Sequence, residues 1–155
     1  MRRIFIGVLF LSILHGCGKE SESTEAFRVE YAVTSAWTGY RFSAVFDHSG
    51  HLYVTEKNPV AEIDRTFTYP LGANEMESIE ERLLTLKDIE LLKAYGFGEG
   101  KPYDLPITSF RYETTSGSDS TDIYVPEENE LPVELASILQ TLMRIIQNQD
   151  LNADS

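Results

Sequence analysis

Asp47, His48 and His51 are the residues of this chain best placed to share a reaction. Two imidazoles flanking a turn, with a carboxylate beside them, can approach one another, and that donor set serves either a metal ion or general acid–base chemistry. The set stops short of a motif, because no acid completes a pattern such as H-E-x-x-H. A turn stabilised by Asp47 and Ser49, with the imidazoles in solvent, accounts for the same residues. Ser116 to Asp122, "SGSDSTD", is rich in oxygen ligands but lacks the spacing, central glycine and final glutamate of a calcium loop. Glu75, Glu77, Glu80, Glu81, Glu127, Glu128 and Glu130 could supply the two carboxylates, about 5–10 Å apart, of a glycosidase. So many acids more often form a solvated face. There is no G-x-S-x-G, P-loop or G-x-G-x-x-G. The expectation is no catalytic residue, no metal and no cofactor, with a hydrolase using carboxylates or a turn histidine as the alternative.

The remaining reactive group is the one thiol, Cys17 in "IFIGVLFLSILHGCGKESESTE". Arg2 and Arg3 precede an apolar run, Ile4 to Leu14, of 11 residues. That run is too short to cross a bilayer, which takes roughly 20 apolar residues, and a basic start followed by such a run reads as a secretory signal. Leu14, Gly16 and Cys17 resemble the lipobox of bacterial lipoproteins, with a small residue before the cysteine and an aliphatic one third upstream. The resemblance implies a diacylglyceryl thioether on the Cys17 sulfur, cleavage after Gly16, and a further acyl chain such as palmitate on the new amine. Two or three chains anchor a protein stably where one does not. Gly18 after the cysteine implies sorting to an outer membrane, facing the periplasm.

On this reading residues 1–16 are signal peptide, 17–26 the lipidated cysteine and a flexible tether, 27–150 one domain, and 151–155 a disordered tail. The tether, "GKESESTEA" after Cys17, lacks large apolar residues and reaches at most about 30 Å. The mature chain of 139 residues carries 11 basic against 25 acidic groups, a net charge of −14. That balance argues against nucleic acid, whose phosphates demand lysine and arginine. It argues equally against electrostatic docking on anionic lipid. With Cys17 acylated no thiol is left for disulfides or zinc–thiolate sites.

Aromatic residues are the other candidates. Trp37 in "TSAWTGYRF" falls between two predicted strands, beside Gly39 and Tyr40. The more ordinary reading is a tryptophan folded back over the end of the core. The alternative is a binding hot spot, where tryptophan and tyrosine bury much area and keep a polar handle. Tyr95, Phe97 and Tyr103 invite the same two readings. Trp37, Tyr40, Phe97 and Tyr103 stand as candidate binding residues.

The elements that must position them follow from periodicity. "FRVEYAVT" alternates Phe27, Val29, Tyr31 and Val33 with polar residues, as a half-buried strand does. Phe42, Ala44 and Phe46 precede, and Leu52 and Val54 follow, the turn Asp47 to Gly50, which suits a hairpin. Ile63, Arg65, Phe67 and Tyr69 share one face of a further strand. "NEMESIEERLL" fits helix or strand, with a strand ending near Leu84 preferred. Thr85 to Asp88 then reads as a capping box opening a helix through "LKDIELLKAYG", with Leu86, Ile89 and Leu92, and less clearly Leu91, inward and Gly96 at its end. "ITSFRYETT" and "STDIYV" form another hairpin. Pro132 stands at a first helical position, and Leu135, Leu139, Leu142 and Ile146 make a stripe at helical spacing. The expected fold is α+β, an antiparallel sheet of five to six strands with two helices on one face.

In layout this order resembles a group of small bacterial domains that includes the emfourin-type inhibitors of thermolysin-like metalloproteases. The similarity rests on "SAWTGY", the L-T-x-x-D stretch at Leu84 to Asp88, Phe97 and Asp104, the late hairpin, and "LPVELASILQTLM". The Gly-Gly pair common in the family's first turn is replaced here by Ala36-Trp37, so the resemblance implies fold before activity. The expected function is a lipid-anchored binding module of the cell envelope that engages a protein partner, with protease inhibition as one form. A passive structural lipoprotein is the remaining alternative.

Overall fold

The computed structural model describes residues 26–96, 105–124 and 131–153. Cys17, Phe97 and Tyr103 lie outside them, as do Asp104 and the acids at 127, 128 and 130. The alternating residues form β1 (Phe27–Thr34), β2 (Arg41–Asp47), β3 (His51–Asn58) and β4 (Ile63–Pro70). The helix α1 (Ala73–Leu86) follows, then a short β5 (Ala94–Tyr95), the hairpin of β6 (Ile107–Thr114) and β7 (Gly117–Tyr124), and the helix α2 (Val133–Ala153). The strands make one sheet in the order β4-β3-β2-β1-β6-β7-β5. Every neighbouring pair is antiparallel except β5 with β7, which is parallel. The protein is therefore α+β, with a mixed sheet of seven strands rather than an antiparallel one of five or six.

Side chains alternate across a strand, so register decides which face is apolar. Leu52 stands opposite Phe46, Phe46 opposite Val29, and Val29 opposite Tyr112, a single buried row across four strands. Ile79, Leu83 and Leu86 of α1 and Leu135, Ile138, Leu142 and Ile145 of α2 complete the same core. The opposite face carries Glu30, Ser43, Thr55, Arg111 and Asp122, which alternate with the buried residues, and it faces solvent for much of its area.

Two expectations are corrected between 73 and 96. The stretch preferred as a strand is α1, where Met76, Ile79, Leu83 and Leu86 recur at helical spacing and face the core. The Glu75 carboxylate accepts the Gly72 N–H at 2.8 Å, satisfying a backbone donor at the helix start. Glutamate, methionine and leucine are good helix formers, and this propensity agrees with the burial. Thr85 consequently lies in the last turn, its hydroxyl donating to the Arg82 carbonyl at 2.8 Å, and caps nothing. No helix runs through "LKDIELLKAYG": the Ile89 N–H closes a turn on the Leu86 carbonyl, and Ala94 and Tyr95 join β7. Leu91 is buried there and Leu92, expected inward, is 60% exposed.

Pro132 immediately precedes α2, and its carbonyl accepts the Ala136 N–H at 3.0 Å. The helix continues to Ala153, past the boundary expected at 150. Among the described residues no helix is long and apolar enough to cross a membrane.

Candidate functional site: an aromatic end of the sheet

The direction of β1 gives the sheet two unlike ends. The chain enters at Phe27, and the β2–β3 turn and the Thr115-Ser116 turn of the β6–β7 hairpin gather at that end. The far end lies eight residues along, about 26 Å at the usual rise. It gathers the β1–β2 connection, the β3–β4 turn and the start of β6, because Thr34 stands opposite both Arg41 and Ile107 and Asn58 opposite Ile63.

Residues 35–40 form a tight, cross-bonded connection. Ser35 N–H donates to the Tyr40 carbonyl at 2.9 Å, and Ser35 is buried. Its Oγ accepts the Thr38 N–H at 3.4 Å, and Thr38 Oγ1 accepts the Tyr40 N–H at 3.2 Å. These bonds spend the backbone groups on the loop itself and leave Trp37 at the apex, 85% exposed. The tryptophan does not fold back over the core. In the neighbouring turn Asn58 Oδ1 accepts the Ala61 N–H at 3.1 Å, which holds Val60 outward, 78% exposed. Trp37, Thr38, Tyr40, Val60, Ala61 and Pro106 line a shallow groove of 410 Å³ between the loops. Leu105 beside Pro106 is also exposed.

Tyr40 forms a second wall as well. With Tyr31, Val33, Phe42, Met143 and Ile146 it lines a groove of 230 Å³ between the sheet and α2. Its hydroxyl donates to Glu56, and burial first, then the Glu56 charge and hydrogen bond, push its pKa above the ordinary tyrosine value. Glu56 is held in turn by Arg65, through Nε at 2.8 Å and Nη2 at 2.7 Å. The Arg65 guanidinium lies 5.3 Å from the centre of the Phe67 ring. Lys57 pairs with Asp64 at 3.0 Å. Beside these charges the exposed apolar groups form a groove, and apolar area with an aromatic anchor is what binding surfaces use.

Of the candidates, the structure brings Trp37 and Tyr40 to one groove. Val60 and Pro106 belong to the same surface and escaped the sequence reading. The signal for Val60 was a large apolar side chain inside the turn "NPVAE", where turn residues are normally small or polar.

The histidine turn is arranged differently from a catalytic triad. Asp47 Oδ1 accepts the Ser49 N–H at 3.0 Å and the Ser49 hydroxyl at 2.5 Å, while Ser49 Oγ lies 3.0 Å from His51 Nδ1. In a Ser-His-Asp site the carboxylate orients the imidazole, which then takes the serine proton. Here the Ser49 hydroxyl donates to the carboxylate rather than to His51. His48 and Ser49 are exposed. Among the described residues no three His, Cys, Asp or Glu side chains converge as metal ligands do. In "SGSDSTD", Asp119 and Asp122 are three positions apart on β7 and point to opposite faces. Asp122 accepts the Ser109 hydroxyl at 2.6 Å.

Comparison with known proteins finds no family model that matches this chain and no match among curated proteins.

Proposed function

We propose that this protein is a lipid-anchored binding module of the bacterial cell envelope, moored through Cys17 and engaging a protein partner with the aromatic end of its sheet. The observation that carries the reading is Trp37, 85% exposed at the apex of a cross-bonded loop, at the end of β1 away from the chain's entry. A large aromatic held in water by a rigid loop loses little entropy on docking, the property of a binding anchor. The tether leads into Phe27, at the end of β1 away from the Trp37 groove, so the point of attachment does not occupy the groove. The anchor belongs in the outer membrane, facing the periplasm. Inhibition of an envelope protease is one form of this activity, as the emfourin-like layout suggests.

Capture from detergent-solubilised envelopes tests it, with wild type and Trp37→Ala as baits. A specific partner retained by wild type and lost from the variant is the expected result. Equal capture by both baits would refute the assignment of the groove. The hydrolase alternative would be revived by turnover of peptidoglycan, peptides or esters that disappears in His48→Ala or His51→Ala.

A further inference from the structure

Among the described residues no strand pairs with the outer edge of β4, and its hydrogen-bonding groups can be assigned residue by residue. Leu71 N–H donates to the Gly50 carbonyl at 2.8 Å, and this pair continues the register in which Leu52 faces Tyr69 and Val54 faces Phe67. In an antiparallel ladder, residues bonding inward alternate with residues whose backbone groups turn outward. Ile63, Arg65, Phe67 and Tyr69 therefore bond to β3, while Asp64, Thr66, Thr68 and Pro70 turn away from the sheet. Pro70, with no N–H, suits an outward position. Among the described residues no strand lies beyond β4 to receive the outward groups of Asp64, Thr66 and Thr68, and all three residues are exposed.

Sheet edges are normally blunted by lysine, proline, bulges or shortness. β4 has eight residues, and only its ends carry guards, Asp64 with Arg65 at one and Pro70 at the other. Thr66-Phe67-Thr68-Tyr69 between them consists of strong strand formers. We propose that this edge is a strand-addition site for an extended segment of another protein that alternates apolar and polar residues. The alternation follows from the two faces the added strand would continue. On one side Phe67 and Tyr69, half-buried and stacked at 6.0 Å, make an apolar ledge. On the other, Asp64, Thr66 and Thr68 are polar. The chain's net charge of −12 favours basic residues at the polar positions.

A second copy on the same membrane is the wrong occupant. Symmetric antiparallel pairing through β4 would run the two β1 strands in opposite directions, so that the two tethers leave from opposite ends. This exclusion alone rests on the Cys17 anchor; the open edge does not.

Amide hydrogen exchange on the full mature chain in detergent tests the proposal, with a random heptapeptide library as the probe. Phe67, Tyr69 and Leu71 amides should be protected, and Thr66 and Thr68 amides should exchange freely. A selected peptide should protect Thr66 and Thr68 and lose about tenfold or more in affinity on Thr66→Pro. That change removes an outward N–H without breaking a bond to β3, and unchanged circular dichroism would show the fold intact. Trp37→Ala should leave the peptide affinity unaltered, which separates this site from the aromatic end. The proposal is overturned if Thr66 and Thr68 are protected in the free chain, if light scattering shows a dimer that Thr66→Pro dissociates, if the peptides bind that variant equally, or if none is selected.

Discussion

Gly39 faces Pro59 across the two loops of the aromatic end: a Cβ built on Gly39 would lie 3.2 Å from Pro59 Cγ. The glycine also adopts φ 69°, in the left-handed region that side chains resist. A side chain at this position would press on the Pro59 ring and strain the backbone at once. Gly39→Ala should cost about 1–2 kcal/mol in urea unfolding. It should also weaken partner capture, because Trp37 and Val60 lose their relative placement.

Trp37 is the only tryptophan, so its fluorescence reports this end alone. Emission should resemble that of tryptophan in water and be quenched freely by acrylamide. Trp37→Ala should change stability by no more than about 0.5 kcal/mol, as an exposed substitution does. A blue-shifted, poorly quenched emission would place the ring in the core and remove the proposed anchor.

The corrected helix makes opposite demands on two leucine-like positions. Ile79 is fully buried and should cost about 2–5 kcal/mol when replaced by alanine. Leu92, 60% exposed, should cost within about 0.5 kcal/mol. Had the helix begun at Thr85, Leu92 would have been the costly one. Urea denaturation of the two variants decides between the arrangements.

Glu80 supplies a pH test. Its Oε1 is buried with no hydrogen-bond partner among the described residues, and burial first, then the nearby Glu77 charge, raises its pKa above the ordinary 4.5. A raised folded-state pKa means that stability is greatest while the carboxyl is protonated and falls as pH rises through the folded value. Glu80→Gln should therefore stabilise the protein at neutral pH, with the gain vanishing below 4.5. A gain independent of pH would point to packing rather than charge.

The anchor has a direct readout. Intact mass of the native protein should show loss of residues 1–16 and acyl mass on Cys17, and Cys17→Ser should retain the leader. A bare Cys17 sulfur would remove the membrane from the proposal.

The strands were legible because alternation over Phe27–Val33, Phe42–Phe46 and Leu52–Val54 leaves only one way to bury those side chains together. The two hairpins were legible from their Asp, Ser and Gly turns. Residues 73 to 96 were misread for a physical reason. Leu83, Leu84 and Leu86 are compatible with either period, and Leu86 can end one helix or begin another until a partner surface exists. Burial of Ile79 and Leu86 against α2 and the sheet selected the first.

By itself the sequence determined the charge, the single thiol in its lipobox-like setting and the alternating strands, all of which are properties of neighbouring residues. Only the tertiary structure decided that Trp37, Val60 and Pro106, distant in the chain, share one groove opposite the point where β1 begins. Strand register made that decision: it fixes which turns meet at which end of the sheet, and no local stretch contains that information.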